Sequence, residues 1–213
     1  MPKMGYSVKS GDSVCVEKRT PGRPRSEQAR VSILRSTLKF LEKRGFSELT
    51  IESIAASANV GKATVYRWWP NKAALVADAF AHSAVDKLHF PDTGSLITDM
   101  SQQMRQLIQI FKSRRGRIVL AMLGAGQSDP SLLLAFRERF LKPRRAEAYA
   151  TLQRAIDRGE LPPDQDLNLL LDSLYGPIYM RFLLRHDALT DEFVNSLCRQ
   201  VLGCIAATVK QPE

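Results

Sequence analysis

Thr50-Ile-Glu-Ser-Ile-Ala-Ala-Ser-Ala-Asn-Val-Gly-Lys-Ala-Thr-Val-Tyr-Arg-Trp-Trp-Pro-Asn-Lys72 is the stretch on which the fold turns. Thr50 is a good N-cap, and Ile51, Ile54, Ala55 and Ala58 fall on one side of the short helix that follows it. Small Ala55 lets a second helix cross closely above. Asn59 is the non-glycine residue best able to take the left-handed conformation of a sharp turn, and Val60 plugs the corner. After Gly61 a second helix is expected over 62–69. Its inward residues are Val65 and Trp69, four apart, which leaves Lys62, Ala63, Thr64, Tyr66, Arg67 and Trp68 pointing outward. Pro70 stops it, Asn71 caps the next helix, and Lys72 sits in that helix's first turn.

Two short helices joined by a tight turn, the second presenting small, hydroxylated, aromatic and basic residues, describe a helix-turn-helix reader of the DNA major groove. Ala63 and Thr64 are small enough for close approach to base edges, and Thr64 can also touch a thymine methyl. Tyr66 and Trp68 can donate to phosphates. Lys72 is placed to clamp a phosphate, because a helix start already offers free amides and positive dipole.

Outward from this stretch the helical pattern continues. Val31, Leu34, Leu38 and Leu41 recur at three- and four-residue steps, so a leading helix is expected from the Ser26 cap to Gly45. Beyond Lys72, helices are expected near 72–89, 95–114, 117–128, 131–158, 166–185 and 191–209, with Pro143 and Pro177 kinking two of them. Gly176 beside Pro177 suggests a place where another helix comes close. Nothing alternates like a strand, and the expectation is an all-α chain of about nine helices. Residues 1–25, rich in Lys, Ser, Gly and Pro, read as a disordered basic arm. Residues 1–90 carry 15 Lys and Arg against 8 Asp and Glu, whereas residues 91–213 carry 16 against 14. The basic excess therefore lies at the end that holds the reader.

Residues 26–75 resemble the N-terminal domain of the TetR family of regulators, a three-helix, homeodomain-like unit. The pattern is met at Thr50, Ile54, Ala55, Ala58, Val60, Thr64, Tyr66, Trp69, Lys72 and Leu75, with Asn59 where glycine is usual and Gly61 where serine is usual. The resemblance implies phosphate contacts from Thr50, Tyr66, Trp68 and Lys72, with Lys62, Ala63 and Thr64 near bases and Arg67 beside them. Arg19-Thr-Pro-Gly-Arg-Pro-Arg25 resembles an AT-hook that could enter a narrow minor groove. The competing and favoured reading is a flexible basic arm giving only salt-dependent attraction, and either way Arg23 and Arg25 are within reach of DNA.

Residues 76–213 then form a C-terminal regulatory and dimerisation domain, joined to the reader by helix 72–89. Lys142-Pro-Arg-Arg145, Arg158-Gly-Glu-Leu161 and Leu174-Tyr-Gly-Pro-Ile-Tyr179 resemble the C-terminal domain of one branch of the same family, in which the last two helices pair with a second subunit. Two apolar stripes fit that role: Leu170, Leu174, Ile178 and Phe182 on one helix, and Leu197, Val201 and Ile205 on the other. Packing inside one subunit is the competing reading. Met104, Leu107, Phe111, Met122, Leu123, Phe136 and Phe140 are candidates to line a pocket for a small-molecule effector, or else simply form core.

An enzyme is not expected. His82, His89 and His186 are scattered, no nucleophile–base spacing occurs, and neither metal nor other cofactor is implied. The three cysteines form no CxxC motif or paired framework. The longest apolar stretch, 118–125, is too short to span a bilayer, and the N-terminus lacks an apolar leader, so a cytoplasmic protein without membrane contact is expected. The function read from the chain is a homodimeric repressor that binds a palindromic operator and is released by a small molecule. An activator of the same build and a low-specificity, nucleoid-type DNA binder are the alternatives.

Overall fold

A computed structural model describes residues 26–84 and 87–209, the last six of these as backbone only. Among the described residues there are ten α-helices and no strand. They are α1 (Glu27–Arg44), α2 (Ile51–Ser57), α3 (Lys62–Tyr66), α4 (Lys72–Ala84), α5 (Leu96–Lys112), α6 (Arg114–Gly126), α7 (Pro130–Phe136), α8 (Lys142–Asp157), α9 (Leu167–Leu184) and α10 (Asp191–Val209). A π-turn, Arg137–Leu141, joins α7 to α8 without a break, so these three pieces are the single helix expected over 131–158. The π-turn ends just before Pro143. Its wider ring of hydrogen bonds absorbs the residue whose missing N–H and bulky ring an α-helix could not accommodate there. Of the helix expected over 72–89, Lys72–Ala84 is helical, residues 85–86 lie outside the described residues, and residues 88–90 are not helical.

The first three helices form around Ile33, Leu34, Ile54, Val65 and Trp69, all essentially without exposed surface. Local caps set their ends. Ser26 accepts from the Ala29 N–H, and Thr50 and Ser53 cap one another's backbone reciprocally. Asn59 takes the left-handed conformation at φ 53°, which lets the Val60 N–H reach the Ala55 carbonyl and close the turn. The Asn71 side chain accepts from the Ala74 N–H at 2.8 Å and starts α4.

α4 is buried nearly all round and is the joint of the molecule. One side packs on α1, the other on α7 and the π-turn. Phe80 of α4 sits among Phe136 and Phe140, edge-on to the latter with ring centroids 4.8 Å apart. Behind it α5 is the central post, with α6, α8, α9 and α10 packed around it. The corner between α5 and α6 requires Gly116, where a Cβ atom would lie 1.9 Å from the Phe111 carbonyl oxygen. The Arg158-Gly-Glu-Leu161 stretch has a structural job. Glu160 accepts the Leu96 N–H at the start of α5, while Arg158 pairs with Glu160 and Asp92.

Two expectations for the C-terminal helices change. Leu170, Leu174, Ile178 and Phe182 are buried in the subunit's own core, as is Leu197, and Val201 is partly buried against it. They are spent on intrachain packing and are not a free face; the side chain of Ile205 lies outside the described residues. The apolar face that α9 leaves exposed is a different one, carrying Leu169, Met180, Leu183 and Leu184. Nothing approaches Gly176, which lies on that exposed face.

Candidate nucleic-acid interface and regulatory cavity

The second helix of the reader is held from behind and open in front. Val65 and Trp69 have no exposed surface, whereas Lys62, Ala63, Tyr66 and Arg67 are exposed and Thr64 half-exposed. Thr50 lies exposed at the start of α2. Lys62 reaches back across the turn to Glu52, Nζ to Oε1 2.6 Å, with both side chains more than half exposed. The hydrogen bond from Lys62 holds the Glu52 carboxyl below its ordinary pKa. Gly61 caps the helix without a side-chain acceptor, leaving the first-turn amides of α3 uncapped by a side chain.

Lys72 is only partly exposed, and its ammonium lies 4.1 Å from the centre of the Phe46 ring. Burial lowers its pKa and the charge of Asp129 draws it partly back. Trp68 is placed differently from expectation. It is half-buried, packed against the core, beside Trp69 and beneath the guanidinium of Arg30. An indole shielded by α1 is a wall of the reader, not a freely projecting phosphate donor. Arg23 and Arg25 lie outside the described residues.

Trp69 anchors more than α3. Its Nε1–H donates to Asp78 Oδ2 of α4 at 2.7 Å, and the same oxygen receives Arg139 Nη1 of the π-turn, also at 2.7 Å. Three residues thus join the end of the reader, the middle of α4 and the π-turn at one carboxylate.

The π-turn also forms part of a cavity. A cavity of about 60 Å³, open in part to solvent, lies between α5, the π-turn, α8 and α9. Of the residues expected to line a pocket, Leu107 and Phe140 do so here. Leu123 and Phe136 line a neighbouring groove toward α9. Met104, Phe111 and Met122 are corrected to plain core, buried in the contacts between helices. Sequence reasoning missed the polar walls Gln103, Arg144, Arg145, Tyr175 and Tyr179. Four of those five fall inside the two stretches, 142–145 and 174–179, that carried the C-terminal resemblance. That coincidence was the available signal.

A helix-turn-helix with an open second helix, set on a helical domain with its own cavity, is the build of a DNA-binding transcription regulator. Comparison with known proteins narrows the class. Residues 33–79 match the family description "Bacterial regulatory proteins, tetR family", and residues 90–201 match "Tetracyclin repressor-like, C-terminal domain". The chain is 38% identical to the HTH-type transcriptional regulator YdeS of Bacillus subtilis, across 88% of this chain and 94% of that one. It is 31% identical to the DNA-binding transcriptional repressor TetR of Mycobacteroides abscessus, across 84% and 94% respectively. Among solved structures it superposes on the TetR family transcription regulator SCO0332 with a TM-score of 0.75 and 35% identity, covering 83% of this chain and 97% of that one. The chain belongs to the TetR family of transcriptional regulators.

Proposed function

We propose that the chain is a homodimeric repressor whose α3 enters the major groove of each half of a palindromic operator, and which leaves the DNA when a small molecule fills the cavity. Residues 26–75 act as the reading head and 76–213 as the regulatory domain, in a cytoplasmic protein with no catalytic activity of its own. The observation that carries this reading is the anchoring of α3. A helix of five residues is fixed by buried Val65 and Trp69, while its opposite face offers small and polar side chains to whatever lies in front. In this reading Ala63 and Thr64 meet base edges, Lys62 and Arg67 lie beside them, and Thr50, Tyr66 and Lys72 hold phosphates. The second copy docks on the exposed face of α9, where Leu169, Met180, Leu183 and Leu184 leave apolar surface in water. No described helix is long and apolar enough to cross a membrane.

Two variants test the docking on an operator fragment selected from genomic DNA. Tyr66→Ala weakens binding by about tenfold through loss of one phosphate hydrogen bond and its packing. Lys72→Ala lowers the slope of log affinity against log salt by about one. Both retain wild-type helicity and oligomeric state. Wild-type affinity for both in a gel shift refutes the arrangement.

Glu52 sits on the same side and spends the Lys62 charge in the free protein. Glu52→Gln therefore tightens operator binding several-fold at low salt, and the gain fades as salt screens it. Fluorescence anisotropy across a salt series reads the effect, and an unchanged affinity at low salt would show that the Lys62–Glu52 pair lies away from DNA.

Release follows from the shared π-turn. Phe140 and Leu141 line the cavity, while Arg139 of the same turn holds Asp78 and, through it, Trp69. A molecule that pushes the turn outward pulls on the carboxylate that fixes the end of the reader. The two heads of the dimer then lose the spacing that one face of DNA requires.

A further inference from the structure

Within the cavity the polar groups are few and unequal. Gln103 is 97% buried, at 3% exposure, and its carboxamide oxygen accepts the Tyr175 hydroxyl. Its amide nitrogen keeps two N–H donors for which no acceptor stands among the described residues. The Tyr179 hydroxyl, on the same wall, likewise has no hydrogen-bond partner among them. Its ring is fixed edge-on against Phe111, centroids 5.2 Å apart, so the hydroxyl is aimed by packing. Burial pushes this phenol up to about 12, which keeps it a neutral O–H donor at any physiological pH.

The charged rim is already balanced. Arg144 is paired with Glu147 and donates to the Leu88 carbonyl at 2.9 Å. Arg145 is paired with Asp172 at 2.6 Å and also donates to Asn168. An anion entering here would have to displace a carboxylate from each guanidinium it sought. The rest of the wall is aromatic and aliphatic, with Phe90, Phe140, Tyr175 and Tyr179 supplying flat faces.

From this geometry we infer that the cavity takes an uncharged, flat aromatic compound carrying a carbonyl oxygen, which receives the Gln103 amide and the Tyr179 hydroxyl. The inference rests on the cavity being the effector site proposed above. A buried donor left unmatched is costly, so the carbonyl contributes discrimination as well as affinity. The cavity itself holds about 60 Å³, below the roughly 300–1,000 Å³ of sites for such molecules, so the ligand enters by pushing the π-turn outward, as release requires.

Three compounds on one skeleton test this by isothermal titration: 2-acetylnaphthalene, 2-ethylnaphthalene and 2-naphthoate. The ketone binds about tenfold more tightly than the hydrocarbon, and the carboxylate binds no more tightly than the ketone. Gln103→Leu abolishes the preference for the ketone, and Tyr179→Phe reduces it. Equal binding of ketone and hydrocarbon, no binding of the ketone, or tighter binding of the carboxylate overturns the inference. Should Gln103→Leu fail to fold, the ranking of the three compounds on the wild-type chain and the Tyr179→Phe result decide it. The same compounds are added to the protein–operator complex. A ketone that binds but leaves the complex intact contradicts release by the ligand while the cavity assignment stands. Release by the hydrocarbon as readily as by the ketone contradicts the ligand class while the regulator stands.

Discussion

Trp69→Ala lowers the stability of the chain by about 3–5 kcal/mol, the cost of emptying a fully buried indole site, and abolishes operator binding. The side chain has no exposed surface, lies beneath α3, and holds Asp78 through its Nε1–H. Removing it leaves a cavity behind a helix of five residues that has no other deep anchor than Val65. For a chain of this size each kcal/mol moves the midpoint by about 2–4 °C, so thermal unfolding followed by circular dichroism falls by roughly 10 °C. Trp69→Phe separates the two contributions. It keeps most of the volume and loses only the hydrogen bond to a carboxylate, a loss of about 1.5–3 kcal/mol. An unfolding midpoint within a degree or two of wild type for the alanine variant is incompatible with Trp69 as the anchor.

The second large effect concerns Asp78. Asp78→Ala strands the Trp69 Nε1–H and the Arg139 guanidinium together, and costs about 1–3 kcal/mol. The range is held down because the Asp78 and Arg139 side chains retain 19% and 34% of their exposure, so solvent screens part of the pair. More diagnostic is the loss of communication. With the carboxylate gone, a ligand that displaces the π-turn no longer reaches the end of α3, and operator affinity becomes nearly independent of ligand. Asp78→Ala and Arg139→Ala together cost less than the sum of the two, because each alone already breaks the shared contact. Full additivity of the pair, or an undiminished ligand response in Asp78→Ala, argues against the joint.

How much of this was readable beforehand depends on how local the signal is. The reader announces itself through contacts between residues fewer than ten apart. Thr50 with Ser53, Asn59 at its positive φ, Val60 closing on Ala55 and Asn71 with Ala74 are all short-range, and spacing reveals them. Trp68 is the exception in that stretch, because what shelters it is Arg30, 38 positions earlier on α1. Helix α9 misled for another reason. It is apolar on nearly every side, so its periodicity cannot say which stripe turns inward. The stripe from Leu170 to Phe182 goes to the core, and the one from Leu169 to Leu183 stays in water. The cavity was the least legible part. Gln103, Arg144, Tyr175 and Tyr179 come from three helices, and a polar residue on an apolar face looks like an ordinary interruption until its neighbours are known. The π-turn left one trace, Pro143 inside a helical pattern, but a proline predicts a kink without saying that an extra residue will absorb it.

That α3 reads the major groove is the claim on which the rest stands, and methylation interference on the selected operator addresses it at the level of single atoms. Guanine N7 faces the major groove and adenine N3 the minor groove. Methylation of guanine N7 in two half-sites related by a two-fold axis is predicted to block binding, with little interference from adenine N3 at the same positions. Binding that tolerates every N7 methyl group, and is blocked only from the minor groove, would contradict it.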